Sequence, residues 1–270
     1  MKNHQPGWWF TFYLMKTKST SKIETDEASA KLAVLIDADN AQPSSFEYLL
    51  PEIAKYGEAT VKRIYGDFTS PQSRQWRSIL NKFAIKPVQQ FAYTTGKNAT
   101  DSTMIIDAMD LMYTRRFDGF CIISSDSDFT SIATRIREEG LAVYGFGKKK
   151  TPEAFKNACH KFVDIEILTP RSAEALSDSK TVEKAKSKER AKLPLKTIEN
   201  ALEQSSDDSG WSNIATFGSI LLKLKSDFDS RQYGFKKLSE LVKARDDIFE
   251  IQERKQVNSD VTYIYLKKRK

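Results

Sequence analysis

The chain has 270 residues, 40% of them hydrophobic and 29% charged. That composition excludes a collagen-like or wholly disordered polypeptide and leaves room for about two domains. The net charge of +7 suits an anionic partner. No apolar run reaches the roughly 18–20 residues needed to span a bilayer. Two cysteines and two histidines exclude a disulfide scaffold and are too few for a structural zinc centre, so a reducing, cytoplasmic setting is expected.

Residues 1–30 read as a disordered leader. Its one apolar stretch, GWWFTFYLM at 7–15, is too short to span and lacks a cleavage pattern, and Met15 offers an alternative start. From residue 31 strands and helices alternate. KLAVLID at 31–37 is a continuous apolar run, as a buried parallel strand requires. A helix over 43–56, kinked at Pro51, leads to a strand over 59–66. A helix over 72–83 and an irregular strand over 85–92 follow. Residues 100–114 form a strong helix with Thr103, Asp107, Asp110 and Thr114 on one polar, solvent-facing side. Then come a strand over 117–124, a helix over 128–139 stopped by Gly140, a strand over 141–147, a short helix over 152–158 and a last strand over 162–168. Strands separated by helices of this length predict an α/β fold, a parallel sheet covered on both faces.

Residues 169–192 hold almost no large apolar side chain and read as a charged linker. From 193 to 270, three helical stretches precede two strands around a polar turn, the outline of a small α+β winged helix.

Ligands of open α/β sheets bind at the carboxyl ends of the strands. The first strand ends in LIDADN, with Asp37, Asp39 and Asn40. The fourth ends in IISSDSDF, with Asp126 and Asp128, and Asp101 opens the preceding helix. A crevice between the first and fourth strands would bring these acids together. Hard oxygen ligands without His or Cys suit Mg²⁺ or Mn²⁺, and such an ion supports phosphodiester hydrolysis. An aspartyl nucleophile in DADN, as in haloacid-dehalogenase phosphatases, is a weaker reading because Asp101 then has no job.

These residues carry a resemblance. LIDADN, IYGDF, KNATDSTMIIDAMDL, IISSDSDF and GLAVYGFG, in that order over about 32–168, resemble the NYN domain, a PIN-like ribonuclease group that includes the LabA-like bacterial proteins. The resemblance implies a three-layer α/β/α fold, a Mg²⁺ or Mn²⁺ site and RNA cleavage. It places catalytic and metal-binding roles on Asp37, Asp101, Asp126 and Asp128, with Asn40, Asp107 and Ser124 supporting. Ser125 stands where many relatives have Gly. Some NYN proteins are binding modules, so a non-catalytic RNA-binding adaptor is the alternative.

Likewise Gly210-Trp211, Phe217-Gly218, Phe228-Asp229 and Tyr233-Gly234-Phe235 before Lys236-Lys237-Leu238 resemble the OST-HTH/LOTUS winged helix. That family is implicated in binding RNA or a protein partner. Trp211, Phe228, Tyr233 and Phe235 are expected to pack in its core. Lys236 and Lys237 open the last helix, where winged helices meet nucleic acid, and Lys148, Lys149 and Lys150 follow the fifth strand beside the acids. A linker of about 25 residues would keep its ends about 25–30 Å apart, tethering the binding module near the cleft without a fixed domain interface.

Overall fold

The structure, a computed structural model, describes residues 29–69, 74–91, 99–169, 192–255 and 262–269. The leader up to 28 and the linker over 170–191 lie outside the described residues. The first unit runs β1 (Lys31–Asp37), α1 (Phe46–Ile53), β2 (Glu58–Gly66), α2 (Trp76–Phe83), β3 (Lys86–Gln89), α3 (Ala99–Tyr113), β4 (Gly119–Ile123), α4 (Thr130–Glu138), β5 (Ala142–Gly147), α5 (Glu153–Ala158) and β6 (Lys161–Asp164). The sheet order is β3-β2-β1-β4-β5-β6, and every pairing is parallel.

The continuous apolar run of β1 feeds two cores. Ala33 and Leu35 point into one, which is completed by Met104, Ala108 and Met112 of α3 and by Ile132 and Ile136 of α4. Leu32, Val34 and Ile36 point into the other, with Phe46, Leu49 and Ile53 of α1 and Trp76 of α2. Period-two alternation on a strand buried on both faces explains why no polar residue interrupts it before Asp37. The chain reverses its order of strand addition at β1, so the crevice opens between the carboxyl ends of β1 and β4.

The last strand is shorter than the 162–168 expected. The Asp164 carboxylate accepts the Glu166 amide at 2.9 Å and caps a 3₁₀ turn over Ile165–Leu168, which ends the extended backbone.

The second unit contains α6 (Leu195–Ser205), β7 (Ser212–Asn213), α7 (Ile214–Leu224), α8 (Leu238–Ala244), β8 (Phe249–Lys255) and β9 (Thr262–Lys268). Its strands form an antiparallel sheet in the order β7-β9-β8. Two-residue β7 was not legible in the sequence. Ile198, Leu202, Phe217, Leu221, Phe228, Tyr233, Leu241, Phe249 and Leu266 form its core, with Phe235 packed against them. Trp211 is not in that core, contrary to expectation.

The two units also share an interface, which corrects the expectation of a purely tethered module. The segment after α7 lies along β6. Phe162 N–H donates to the Ser226 carbonyl at 3.0 Å, Ser226 Oγ donates to the Lys156 carbonyl at 2.6 Å and Lys161 Nζ donates to the Phe228 carbonyl at 3.2 Å. Arg231 reaches across to α1 and donates to both oxygens of Glu52 at 2.8 and 2.9 Å, while Asp229 of its own unit accepts at 2.6 Å. Covering an edge strand in this way removes a template for pairing with other chains. A cavity of about 420 Å³ lies along the junction, lined in part by Lys149, Lys156, Asp164, Lys225 and Asp227.

Candidate functional site

Asp37 ends β1 and is fully buried. Its Oδ1 accepts the amides of Asp39 at 3.0 Å and Asn40 at 3.4 Å. Its Oδ2 accepts Asn40 Nδ2 and Ser124 Oγ, both at 2.7 Å. Four donors account for the lone pairs of a buried carboxylate and fix its rotamer. Ser124 ends β4, and its Oγ also accepts the Asp126 amide at 3.0 Å. One hydroxyl thus ties the two strand ends together. Asp126 in turn accepts the Asp128 amide at 2.9 Å and caps the 3₁₀ turn Ser127–Phe129 that leads into α4.

Asp101 sits in the first turn of α3, where a carboxylate is favoured by the helix dipole. Together with Asp126 and Asp128 it forms a cluster whose ligand oxygens all lie within 4.8 Å of one another. Asp101 and Asp126 are half-buried, and Asp128 is exposed. Burial raises the Asp101 carboxyl to about 6, and the charges of Asp37, Asp126, Asp128 and Asp39 add to that rise. Burial and the neighbouring Asp37 and Asp67 raise Asp39 as well. Of the four acids read from the sequence, three converge. Asp37 stands behind them, close enough to act on Asp101 electrostatically while its own oxygens are taken up by Asn40, Ser124 and two amides.

Asp107 was read as a solvent-facing position and is instead half-buried. It ion-pairs with Arg63 and accepts a hydrogen bond from the Tyr65 hydroxyl, both on β2. The bond to Asp107 raises the Arg63 guanidinium further, and burial pushes the Tyr65 phenol up. This anchor ties α3, whose first turn carries Asp101, to β2. A basic β2 residue facing an acid of α3 is a long-range pairing, and neither Arg63 nor Tyr65 carried a signal for it in the sequence.

Lys148, Lys149 and Lys150 follow β5 on the same edge of the sheet. Lys149 and Lys150 are exposed, and the Lys148 amide donates to Ser125 Oγ at 2.9 Å. Ser125 thereby ties the basic loop to the acidic one. Lys236 and Lys237 are exposed just before α8. Both cysteines are free and buried. No helix among the described residues is long and apolar enough to cross a membrane.

Comparison with known proteins agrees with this layout. The family model described as NYN domain matches residues 31–166, and that described as OST-HTH/LOTUS domain matches residues 189–259. No curated protein matches the chain. A solution structure of an uncharacterized protein from Nitrosomonas europaea is 46% identical, covering 34% of this chain and 90% of its own, with a TM-score of 0.29. A crystal structure of a protein of unknown function from Vibrio parahaemolyticus is 19% identical, covering 52% of this chain and 94% of its own, with a TM-score of 0.44.

Proposed function

Because the chain belongs to the NYN domain family, we propose that it is a divalent-metal-dependent ribonuclease whose OST-HTH/LOTUS unit captures the RNA. The observation that carries this reading is the convergence of Asp101, Asp126 and Asp128 at the switch point of the sheet. Asp101 is raised first by burial and then by the charges of Asp37, Asp126, Asp128 and Asp39, and a hard cation at the three converging acids would relieve the repulsive part of that rise. An all-oxygen donor set suits Mg²⁺ or Mn²⁺. Those three carboxylates would hold the ion. When bound, it supplies charge neutralisation at a phosphate and an activated water.

The chain's own groups prepare the site. Ser124 and Asn40 lock Asp37, whose charge strengthens the negative field at Asp101. Asp126 holds the Asp128 amide, which fixes the loop between β4 and α4. Lys148, Lys149 and Lys150 follow β5 at the same edge of the sheet and would contact RNA phosphates, with Lys236 and Lys237 offering further phosphate contacts on the second unit. A protein partner carrying RNA could dock on that unit as well.

The test is incubation of the purified chain with labelled single-stranded and structured RNA in Mn²⁺, Mg²⁺ or EDTA, beside Asp126→Asn. Cleavage that needs metal and disappears in the variant is expected. Equal cleavage by the variant, or cleavage in EDTA, would refute the assignment.

A further inference from the structure

The sheet of the second unit has one face in the core and one face that no core residue covers. Phe249, Ile251 and Leu266 point inward. Because strand residues alternate, Glu250, Gln252 and Arg254 of β8 lie on the other face. They pair with Lys267, Tyr265 and Tyr263 of β9 respectively. Trp211, immediately before β7, joins this face.

Trp211 and Tyr265 are half-buried and Tyr263 is 41% exposed, and none of the three rings belongs to the core. Two cations already lie over the Trp211 and Tyr265 rings. The Arg254 guanidinium is 4.1 Å from the Tyr265 ring centre and 5.8 Å from that of Trp211, and Lys267 Nζ is 5.9 Å from Trp211.

The arrangement is held in place. Arg254 Nε and Nη2 donate to Gln252 Oε1 at 3.0 and 2.9 Å, which steadies the guanidinium over Tyr265. Asp207 accepts the Trp211 amide at 2.9 Å, and Lys267 Nζ donates to the Ser209 carbonyl at 3.0 Å. Gly210, at φ +79°, makes the turn between them. A Cβ there would press on Lys267 Cε at 3.2 Å, so glycine lets the lysine lie across the loop toward Trp211.

We propose that this outer sheet face is a stacking surface for the unpaired bases of single-stranded RNA, distinct from the lysines that open α8. It rests on the reading of RNA as substrate. Unpaired bases stack on aromatic rings and on guanidinium planes. Among the described residues Arg254 and Lys267 lie beside the rings, with Glu250 on the same face and Asp207 near Arg254, and the two cations are placed to meet phosphates next to stacked bases. Among the described residues of this face none is aliphatic, which distinguishes it from the apolar centre of a protein–protein interface.

The test uses the full chain in EDTA with a fluorescein-labelled 12-nucleotide RNA, single-stranded or annealed to its complement. Trp211→Ala and Tyr265→Ala should each weaken single-strand binding on the order of tenfold, while Tyr265→Phe, which keeps the ring, stays within about twofold. Lys267→Gln should flatten the salt dependence by about 0.7 in the logarithmic slope, as loss of one single-strand phosphate contact predicts. Melting curves report whether the ring variants fold. Wild-type binding of the duplex as tightly as the single strand, or ring variants that bind like wild type, would overturn the proposal. If wild type binds and cuts RNA while the ring variants bind equally well, only the stacking face falls. If wild type neither binds nor cuts RNA, the ribonuclease reading falls with it.

Discussion

Arg231→Ala should undock the two units. The Arg231 side chain is 19% exposed and bridges Glu52 and Asp229, whose side chains are 6% and 7% exposed. Removing it leaves two carboxylates facing each other largely out of water, with Lys55, itself 60% exposed, and the half-buried Lys161 nearby. Breaking a buried pair costs about 3–5 kcal/mol, and discounting for the residual exposure of the arginine leaves about 2–3 kcal/mol. At 1.4 kcal/mol per factor of ten, the docking equilibrium then falls about 30- to 150-fold.

The Phe162 amide reports this directly, because its acceptor, the Ser226 carbonyl, belongs to the other unit. Hydrogen exchange at Phe162 should accelerate by that factor, while the Ile36 and Ile123 amides inside the sheet keep their protection. Glu52→Gln, which keeps a neutral acceptor, should give a smaller effect. Unchanged exchange at Phe162 in Arg231→Ala would show that the Glu52–Arg231–Asp229 triad does not hold the interface.

Acid should produce the same undocking. Burial pushes both carboxyls up, but Arg231, helped by Lys55 at Glu52 and by Lys161 at Asp229, more than offsets it, so Glu52 and Asp229 titrate below their ordinary values. Groups with depressed folded-state pKa stabilise above the ordinary carboxylate range and lose that contribution as pH falls through it; Phe162 exchange, corrected for its intrinsic pH dependence, should therefore rise below about pH 4. Asp101→Asn should lower single-turnover cleavage by at least about a hundredfold and leave RNA affinity in EDTA within about twofold; a variant that cuts normally would exclude Asp101 from the site. Gly147→Ala should destabilise the first unit by about 1–3 kcal/mol in a denaturant melt, since a Cβ there meets the Ser124 carbonyl at 2.5 Å and Thr151 Oγ1 at 2.8 Å. A melt identical to wild type would mean the strand shifts freely to accommodate the methyl group.

The amino-acid sequence alone determined the alternation of elements, because each relies on a local pattern. The apolar run 31–37, the helix through Met104, Ala108 and Met112, and the stop at Gly140 are readable without any partner. It also placed Asp101, Asp126 and Asp128 at one sheet edge, since parallel topology sends every strand's carboxyl end the same way. Tertiary structure decided what each acid does there. Asp37 and Asp101 are equally acidic in sequence, yet Ser124 and Asn40 saturate the first while the second stands among other carboxylates. Asp107 looked solvent-facing by helical periodicity and became an anchor because Arg63 and Tyr65 arrive from β2. Trp211 looked like a core aromatic, and the strand register left it outside. The docking of the two units was least legible, since Glu52 and Arg231 lie 179 residues apart and each has an innocent local reading. Local pattern fixes which face of an element is apolar; which polar side chains meet is settled only when distant segments pack.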